Sequence, residues 1–548
     1  MKQTDSMASI AGTAEDFRSL LLNDYRLACI SREASLLGRK EVLGGKAKFG
    51  IFGDGKELAQ IALSKVVRNG DWRSGYYRDQ TLMMAKGLLD VRQYFAALYA
   101  DTDIEREPTS AGRQMGGHFA TRFLTDDGEW MDHMAQFNSS ADISPTGGQM
   151  PRLLGLAQAS KLYRQMDEVA RAKTGFTSGG DEIAIGTIGD ASTSEGLFWE
   201  TMNAAGVLQV PMLMNVWDDG YGISVPKQYQ TTKASISQAL SGMEIEEGTN
   251  GLVIFRVKGW DYPSLIATYE AAAQRCREEH VPVLVHVEEV TQPQGHSTSG
   301  SHERYKSDER MAWAAEYDCI AQFGKFLVLE GAASQEELDV IRKEAKKEVR
   351  QEQKAAWAAF RAPVDAEMEE AVAAIEALES GAAEVTALRE GLFPGRAEVH
   401  GAVRQVAARH AGSVSPAKAT LDALSARLHG ENRTRYSQHL CSDGVDSVRK
   451  VPVRPAEFVG EEWVDGRQVL QKNFEALFEA YPELVTFGED TGKIGGVNQA
   501  MEGMQEKFGE LRVSDTGIRE CTIAGQGIGL AMRGFRPIAE IQYLDYLF

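Results

Sequence analysis

The chain has 548 residues, 43% of them hydrophobic and 25% charged, which is too long for one core and indicates two or three domains of an ordinary globular protein. Its formal net charge of −20 argues against a general nucleic-acid binder, because affinity for phosphate backbones needs clustered Lys and Arg. The acidic balance still allows a phosphorylated ligand, since a bound divalent cation can bridge it to carboxylates.

The cysteine content and the hydropathy pattern favour a cytoplasmic protein. No CxxC pair occurs among the five cysteines, which are Cys29, Cys276, Cys319, Cys441 and Cys521. We therefore expect neither a disulfide framework nor a zinc site. Residues 1–10 lack a basic region followed by an apolar run, so no secretory signal is expected, and no apolar stretch is long enough to span a bilayer.

Residues 1–329 are predicted to form an α/β domain. Buried strands are predicted in DEIAIGTIGD (181–190), VPMLMNVW (210–217) and VPVLVHVEEV (281–290), with a helix in SEGLFWETMNAAGVL (194–208) between the first two. This strand–helix–strand spacing predicts a doubly wound parallel sheet with helices on both faces.

Residues 330–429 are rich in Ala, Glu, Lys and Arg and are predicted to form a helical insertion. Two helices are expected, one over 336–360 with many opposite charges four residues apart and another over 367–380. The polar, proline-containing segment 430–465 is predicted to be a linker.

Residues 466–548 are predicted to form a second α/β unit. They contain a helix pattern (466–482), a strand (484–490), a glycine-rich segment (524–534) and a further strand (536–544). Because the region is short and the sequence stops just after an apparent core strand, we expect an incomplete domain and therefore a fragment of a longer protein.

Acidic residues follow two neighbouring predicted strands. Asp190 comes directly after the first strand, and Asp219 follows the next one in WDDGYGIS. Since open α/β sheets place ligands at the carboxyl ends of their strands, the two carboxylates are expected to meet around a hard cation such as Mg²⁺, with the Tyr221 carbonyl as a third ligand. An isolated Gly-Asp pair is more commonly a turn with a helix cap, so the specificity lies in the whole string 189–224.

The string GDASTSEGLFWETMNAAGVLQVPMLMNVWDDGYGIS resembles the thiamine-diphosphate signature. It is most similar to the alpha subunit of the decarboxylating component of 2-oxoacid dehydrogenases. The resemblance implies that Asp190, Asp219 and the Tyr221 carbonyl bind Mg²⁺ and that Gly189 and Ala191 contact the cofactor. The chain departs from the family at Asp218 and Asp219, where the family has Asn, and at Trp217, where a relative carries an Arg.

Two further segments of the first half carry the same resemblance. In GYYRDQ (75–80), it implies that Tyr77 and Arg78 contact the diphosphate, for which the planar guanidinium of Arg is well suited. In SPTGGQMP, it implies that Ser144 and Thr146 meet the aminopyrimidine ring of the cofactor. Without the resemblance, Arg78 would be interpreted as a surface residue in a loop.

The loop QGHSTSGSHERYK (294–306) resembles the family loop that orders around the bound cofactor. The resemblance implies that His296 faces the reactive carbon of the cofactor and the substrate, where a histidine can transfer a proton near neutral pH. A lone histidine in a loop is normally solvated, and this is the expectation for His302. Gly300 and Ser301 replace an acidic pair of the family, so no regulation of the loop is inferred.

The segment 485–548 resembles the beta subunit of the same component. The match of ECTIAGQGIGLA to the family pattern implies that Glu520 is the catalytic acid that hydrogen-bonds the aminopyrimidine nitrogen, a role suited to a carboxyl whose pKa an apolar pocket raises. Gln542, Tyr543 and Tyr546 are expected to line the site. The alternative is that Glu520 is a helix N-terminal carboxylate stabilised by the helix dipole.

The resemblance covers residues 16–350 and 466–548 and predicts an alpha–beta subunit fusion with two related thiamine-diphosphate-fold domains. It implies a homodimer or larger homo-oligomer, with thiamine diphosphate and Mg²⁺ between subunits, and a separate lipoyl-bearing acyltransferase partner. A branched-chain 2-oxoacid such as 2-oxoisovalerate is the favoured substrate, and pyruvate or acetoin dehydrogenase is the alternative enzyme. A truncated, non-catalytic cofactor-binding homologue is the other class of interpretation, which Asp218, Asp219 and the end at Phe548 favour and which Glu520, Asp190 and His296 together oppose.

Overall fold

The fold is taken from a computed structural model, which describes residues 14–438, 440, 441, 444, 447–460 and 462–548. The segment 1–10, for which no secretory signal is expected, lies outside the described residues. The α-helices up to residue 329 are α1 (Ala14–Leu43), α2 (Glu57–Val66), α3 (Gln80–Ala85), α4 (Val91–Leu98), α5 (Met150–Gln165), α6 (Asp167–Ala172), α7 (Gly196–Leu208), α8 (Ile236–Ala239), α9 (Tyr262–Glu279), α10 (Asp308–Glu316) and α11 (Cys319–Leu329).

The strands of this first half form a six-stranded sheet and a short hairpin. The strands are β1 (Trp72–Ser74), β2 (Asn138–Ser139), β3 (Ala184–Gly189), β4 (Met212–Trp217), β5 (Tyr221–Gly222), β6 (Val225–Pro226), β7 (Val253–Lys258) and β8 (Val283–Glu288). The sheet has the order β2-β1-β3-β4-β8-β7 with every pair parallel, and β5 and β6 pair antiparallel.

Helices cover both faces of the large sheet. Alternate strand residues enter different apolar cores: Ile185 and Leu213 pack in the core built with α1, α2 and α9, whereas Met214 and Leu284 pack in the core built with α5 and α7. This alternation follows from the two-residue period of a strand, and burial on both faces explains why the strands are continuous apolar runs. The predicted α/β fold with parallel sheets flanked by helices is confirmed.

The helical region that follows is built from α12 (Gln335–Leu378), α13 (Ala383–Glu390), α14 (Arg396–Arg409) and α15 (Pro416–Ser437). The start of α12 packs in the core of the first half through Leu338 and Val349, and its end packs with α13 to α15 around Ile375. The expectation of two separate helices was wrong, because α12 continues through Pro363. That residue is exposed, so the carbonyl that loses its partner can bond to water.

Residues 466–548 form a second, smaller α/β unit. Its elements are α16 (Gly466–Ala480), β9 (Leu484–Gly488), α17 (Met504–Phe508), β10 (Val513–Asp515), α18 (Glu520–Met532), β11 (Arg536–Glu540) and α19 (Leu544–Leu547). The three strands form a parallel sheet in the order β10-β9-β11. The glycine-rich segment lies within α18.

The two α/β units meet where α18 crosses α5. At Gly155 an added Cβ would lie 2.0 Å from the Gln526 carbonyl oxygen, so the two backbones approach too closely for a larger side chain. Beside the crossing, the buried guanidinium of Arg533 donates to Glu182 Oε2 at 2.8 Å and to Ser160 Oγ at 3.0 Å. The contact between the units is therefore tightly packed, although Arg533 Nε is buried without a hydrogen-bond partner in the described part of the chain.

The linker predicted over 430–465 begins later than expected, because α15 continues to Ser437. The described part of the connection that follows is mostly exposed to solvent. Residues 447–460 contain one short 3₁₀ turn, Val448–Lys450, and no α-helix or strand within that range, and nearly all of its side chains are exposed. Among the described residues, no helix has both the length and the apolar character needed to cross a membrane. All five cysteines are free.

Candidate active site

The loops that follow β1, β3, β4 and β8 enclose a cavity of about 280 Å³ at the carboxyl edge of the large sheet. Ligands of open α/β sheets bind at this edge. The lining residues are Lys56, Tyr76, Tyr77, Arg78, Thr146, Gly189, Asp190, Ala191, Ser192, Glu195, Trp217, Asp219, Tyr221, Gly222, Ile223, Gln292, His296, Tyr305 and Lys306.

A buried ion-pair network fixes the loop after β1. The Arg73 guanidinium donates to Asp79 Oδ2 at 2.9 Å and to Asp142 Oδ1 at 3.0 Å, and all three side chains are buried. The Trp217 indole nitrogen, at the end of β4, donates to the other Asp79 oxygen at 3.4 Å. Because buried charges are tolerated only when fully paired, this network holds the loop and the strand end in one arrangement.

Arg78 lies in the wall of the cavity and is tied to two other loops. Its guanidinium donates to the Phe52 carbonyl at 2.6 Å and to the His296 carbonyl at 2.9 Å. The guanidinium also lies over the Tyr77 ring at 5.6 Å. These contacts orient Arg78 without neutralising it, so its positive charge remains available to an anion in the cavity.

Asp190 is the most unusual group in the cavity. It is 5% exposed, and its Oδ2 is buried with no hydrogen-bond partner in the described part of the chain. Burial, followed by the negative charges of Asp219 and Asp218, raises the pKa of Asp190 well above its ordinary value. A buried carboxylate oxygen without a partner is costly, and a bound cation would supply that partner.

Asp219 lies in a tight turn after β4 and faces the same cavity. Its Oδ1 accepts from the Tyr221 backbone N–H at 3.1 Å, and its Oδ2 lies 3.9 Å from the Lys56 ammonium. The turn depends on Gly220, whose φ of +82° is readily adopted only by glycine.

The neighbouring Asp218 does not line the cavity and belongs to a different network. Its Oδ2 accepts from Lys227 at 2.7 Å and pairs with the His286 ring at 3.0 Å. Although burial raises its pKa, these hydrogen bonds outweigh burial and lower the pKa of Asp218. Asp219 therefore lines the cavity, whereas Asp218 is held by Lys227 and His286 and acts on Asp190 through its charge.

His296 presents its ring to the cavity from the loop after β8. Burial, and then the adjacent positive charge of Arg78, lowers the pKa of His296 to about 4, so its imidazole is neutral at physiological pH. The loop is held to α1, since Arg39 donates to the Gln294 and Ser297 carbonyls at 3.0 and 2.9 Å. The expectation of a solvated His302 was wrong: it is 7% exposed because it packs against Gly295.

The structure brings most of the residues singled out in the sequence to one place. Nine of them line the cavity: Tyr77, Arg78, Thr146, Gly189, Asp190, Ala191, Asp219, Tyr221 and His296. Ser144 does not line it; its hydroxyl hydrogen-bonds the His118 ring nitrogen at 3.0 Å. Within the described residues, no group of three or more His, Cys, Asp and Glu side chains is arranged to hold a metal ion. The donors expected from the sequence are Asp190, Asp219 and the Tyr221 carbonyl, and the carboxylate residue Glu195 also lines the cavity.

Glu520 lies apart from this cavity, at the first turn of α18. It interacts with Glu489, whose pKa is raised by burial and then by the charges of Glu520 and Asp490. The expected site residue Gln542 also lies at this end of β9, where its amide donates to Asp490 Oδ2 at 2.8 Å. Neither these residues nor Tyr543 and Tyr546 are among the residues that line the cavity.

Two cavity lysines were missed by sequence reasoning. Lys56 precedes α2 and its ammonium donates to Gln292 Oε1 at 3.0 Å, a contact between residues 236 positions apart. Lys306 lies inside the loop 294–306, and its ammonium sits 5.1 Å from the centre of the Tyr221 ring. No local pattern marks Lys56, whereas Lys306 could have been found from its place in that loop.

The chain matches two family models. Residues 25–364 match the model described as dehydrogenase E1 component, and residues 463–548 match the transketolase pyrimidine binding domain. Because the first match covers more than half of the chain, the chain belongs to the dehydrogenase E1 component family. Its two α/β units accordingly correspond to an alpha-like part and a beta-like part of that component, as the resemblance predicted.

Curated relatives match a short part of the chain. The chain is 49% identical over 81 residues to the pyruvate dehydrogenase E1 component subunit beta of Leifsonia xyli, a match of 15% of this chain and 24% of the relative. It is 57% identical over 60 residues to the 2-oxoisovalerate dehydrogenase subunit beta of Bacillus subtilis, covering 11% of this chain and 18% of the relative. A 2-oxoisovalerate dehydrogenase subunit beta of Pseudomonas aeruginosa is 40% identical over 81 residues, 15% and 23% of the two chains. The chain thus spans about a quarter or less of these relatives.

Proposed function

We propose that this chain is the decarboxylating component of a 2-oxoacid dehydrogenase and that it binds thiamine diphosphate with Mg²⁺ in the cavity. The observation that carries the proposal is the pair of carboxylates at the ends of adjacent parallel strands. The unpartnered Oδ2 of Asp190 fits a cation, and Arg78 in the wall of the same cavity fits a diphosphate.

The cavity residues divide into groups with different tasks. Asp190, Asp219 and the Tyr221 carbonyl would hold Mg²⁺. The loop residues Tyr77, Arg78, Gly189 and Ala191 would hold the diphosphate. Thr146 would lie towards the aminopyrimidine, together with Ser144, which lies outside the cavity beside His118. When bound, thiamine diphosphate supplies the electron sink for loss of CO₂ from a 2-oxoacid. The neutral His296 can accept or donate a proton beside the reacting atoms.

Glu520 is proposed to act on the cofactor of a second copy of the chain. It does not line the cavity of its own chain, although it heads the helix of the unit that matches a pyrimidine-binding domain. A homodimer in which each copy supplies one carboxyl to the other's cavity would complete both sites. We assign residues 1–329 to diphosphate and metal binding and 466–548 to pyrimidine binding, joined by the helical insertion 330–429 and the linker 430–465.

The proposed substrate is a branched-chain 2-oxoacid such as 2-oxoisovalerate, with transfer of the acyl group to a lipoyl group on a separate acyltransferase chain. Relatives named for 2-oxoisovalerate support this choice, and relatives named for pyruvate make pyruvate the second candidate. The five free thiols support a reducing, cytoplasmic location.

The first test is calorimetric titration of thiamine diphosphate into the full chain with and without Mg²⁺. We expect Mg²⁺-dependent binding that D190N weakens at least tenfold, about 1.4 kcal/mol or more. The exposed-residue variant E247Q is the matched control and should bind like the wild type. Binding that is independent of Mg²⁺ or unaffected by D190N would remove the metal from the proposal.

The second test is decarboxylation of 2-oxoisovalerate, pyruvate and 2-oxoglutarate with an artificial electron acceptor. We expect 2-oxoisovalerate to be used best, and E520Q to lose turnover while retaining Mg²⁺-dependent cofactor binding. Tight cofactor binding without turnover of any of the three acids would instead support a non-catalytic homologue. Turnover by E520Q would show that another group is the acid.

A further inference from the structure

The buried ammonium of Lys56 has fewer hydrogen-bond partners in its own chain than it has N–H donors. Its side chain is 2% exposed and lines the cavity that holds Asp190 and Asp219. Among the described residues, its ammonium donates one hydrogen bond, to the neutral amide of Gln292 at 3.0 Å. An ammonium has three donors, so two N–H groups remain for a ligand.

The nearest carboxylate to Lys56 is too distant to satisfy it. Asp219 Oδ2 lies 3.9 Å from the ammonium, which gives attraction between charges without a hydrogen bond. Arg78 and Lys306 also face this cavity, so its wall carries three cationic side chains. A buried ammonium that is only partly compensated is costly, and a multiply charged anion beside it would remove that cost.

The backbone around Lys56 places the ammonium firmly. At Gly55, with φ +89°, an added Cβ would lie 2.0 Å from the Thr291 carbonyl oxygen, so this turn is pressed against the loop after β8. The Gly55 N–H donates to the Glu57 carboxylate at 2.8 Å, which fixes the turn on its other side. Lys56 is therefore held between the loop that carries His296 and the turn that carries Asp219, and it needs no rearrangement to meet a ligand.

We propose that Lys56 binds the diphosphate of the cofactor and offsets the negative charge that Asp219 brings to the cavity. The proposal rests on the proposed function, because it concerns the same cavity and ligand. Lys56 is a binding residue that lets the cavity hold a second carboxylate together with a diphosphate. Its effect should depend on the charge at position 219 and on the diphosphate of the ligand.

The test is a double-mutant cycle by calorimetry with wild type, K56Q, D219N and K56Q/D219N. The ligands are thiamine diphosphate with Mg²⁺ and unphosphorylated thiamine. We expect K56Q to weaken thiamine diphosphate at least tenfold and to change thiamine less than twofold. In the D219N background, which keeps an oxygen ligand, the loss caused by removing Lys56 should fall to threefold or less.

Each other outcome is informative. Equal losses for both ligands, or the same loss in both backgrounds, would overturn the inference while leaving the proposed function intact. Failure of the wild type to bind thiamine diphosphate at all would instead overturn the proposed function. Circular dichroism and thermal unfolding check folding, and K56M, which cannot hydrogen-bond Gln292, should reproduce K56Q if the charge is what matters.

Discussion

At the scale of single residues, His296 shows how the cavity sets a protonation state. Burial and the charge of Arg78 lower its pKa to about 4, so we expect a neutral ring throughout the physiological range. In spectra of protein labelled with ¹³C-histidine, the resonance assigned through H296N should titrate near pH 4. In R78M, which lacks the neighbouring charge, the midpoint should rise but stay below about 6.5, because burial, the larger cause, remains. A wild-type midpoint near 6.5 would contradict this description.

His280 makes the stability of the fold depend on pH. It is buried, its Nε2 pairs with the Gly180 carbonyl at 2.9 Å, and burial followed by the charge of Arg164 lowers its pKa to about 4. The unfolded chain, with a histidine pKa of about 6.5, binds more protons between these values. Stability should therefore fall as the pH drops from about 7 to 4.

The matched variants are H280N, which tolerates the left-handed backbone at φ 54°, and H429N on an exposed helical surface. We expect the free energy of unfolding in urea to fall less between pH 7.5 and pH 5 for H280N than for the wild type. H429N should follow the wild type. Identical losses in all three proteins would assign the pH dependence to other groups.

At the scale of elements, the crossing of α5 and α18 depends on Gly155. An alanine there would place its Cβ 2.0 Å from the Gln526 carbonyl oxygen. We therefore expect G155A to lower the free energy of unfolding by about 1–3 kcal/mol through overpacking. G401A is the control, because Gly401 lies within α14 with nothing near its Cβ position and alanine should stabilise that helix by about 0.5–1 kcal/mol. If both variants are stabilised in urea unfolding, the crossing is looser than described.

The elements differ in how well the sequence predicted them. The strands β3, β4 and β8 were predictable because burial on both faces makes each a continuous apolar run that ends at a polar loop. The passage of α12 through Pro363 was not, since proline normally ends a helix and only packing at both ends of α12 overrides that preference.

The residues of the cavity also differ in how well the sequence predicted them. The string 189–224 predicted the neighbouring Asp190 and Asp219, because adjacent parallel strands bring their carboxyl ends together. Lys56 reaches the cavity through the contact with Gln292, and the position of Glu520 depends on how α18 docks on α5. The spacing of residues along the sequence does not reveal such contacts between distant segments.

At the scale of the whole molecule, the proposed exchange of Glu520 between copies can be tested by mixing inactive variants. D190N and E520Q should each be inactive alone, because each lacks one half of every site. If the variants exchange subunits, mixed dimers contain one intact site, and an equimolar mixture should recover about a quarter of the wild-type decarboxylation rate. A mixture of E520Q with the double variant is the control and should stay inactive. No recovery after demonstrated exchange would mean that each chain completes its own site.

The two α/β units are held together by the contact of Arg533 with Glu182 and by the packing of α18 on α5. The peptide connection between the units is therefore not needed to keep them in contact. A protease cut within the exposed segment 447–460 should leave two pieces that still elute together, since buried contacts rather than peptide bonds hold them. The fusion then fixes the ratio of the two units at one to one. It also keeps them at a higher effective concentration than two separate chains would have. If the two units were produced as separate chains divided at this point, the rate of assembly and the ratio of the units would change. The folded structure would stay the same.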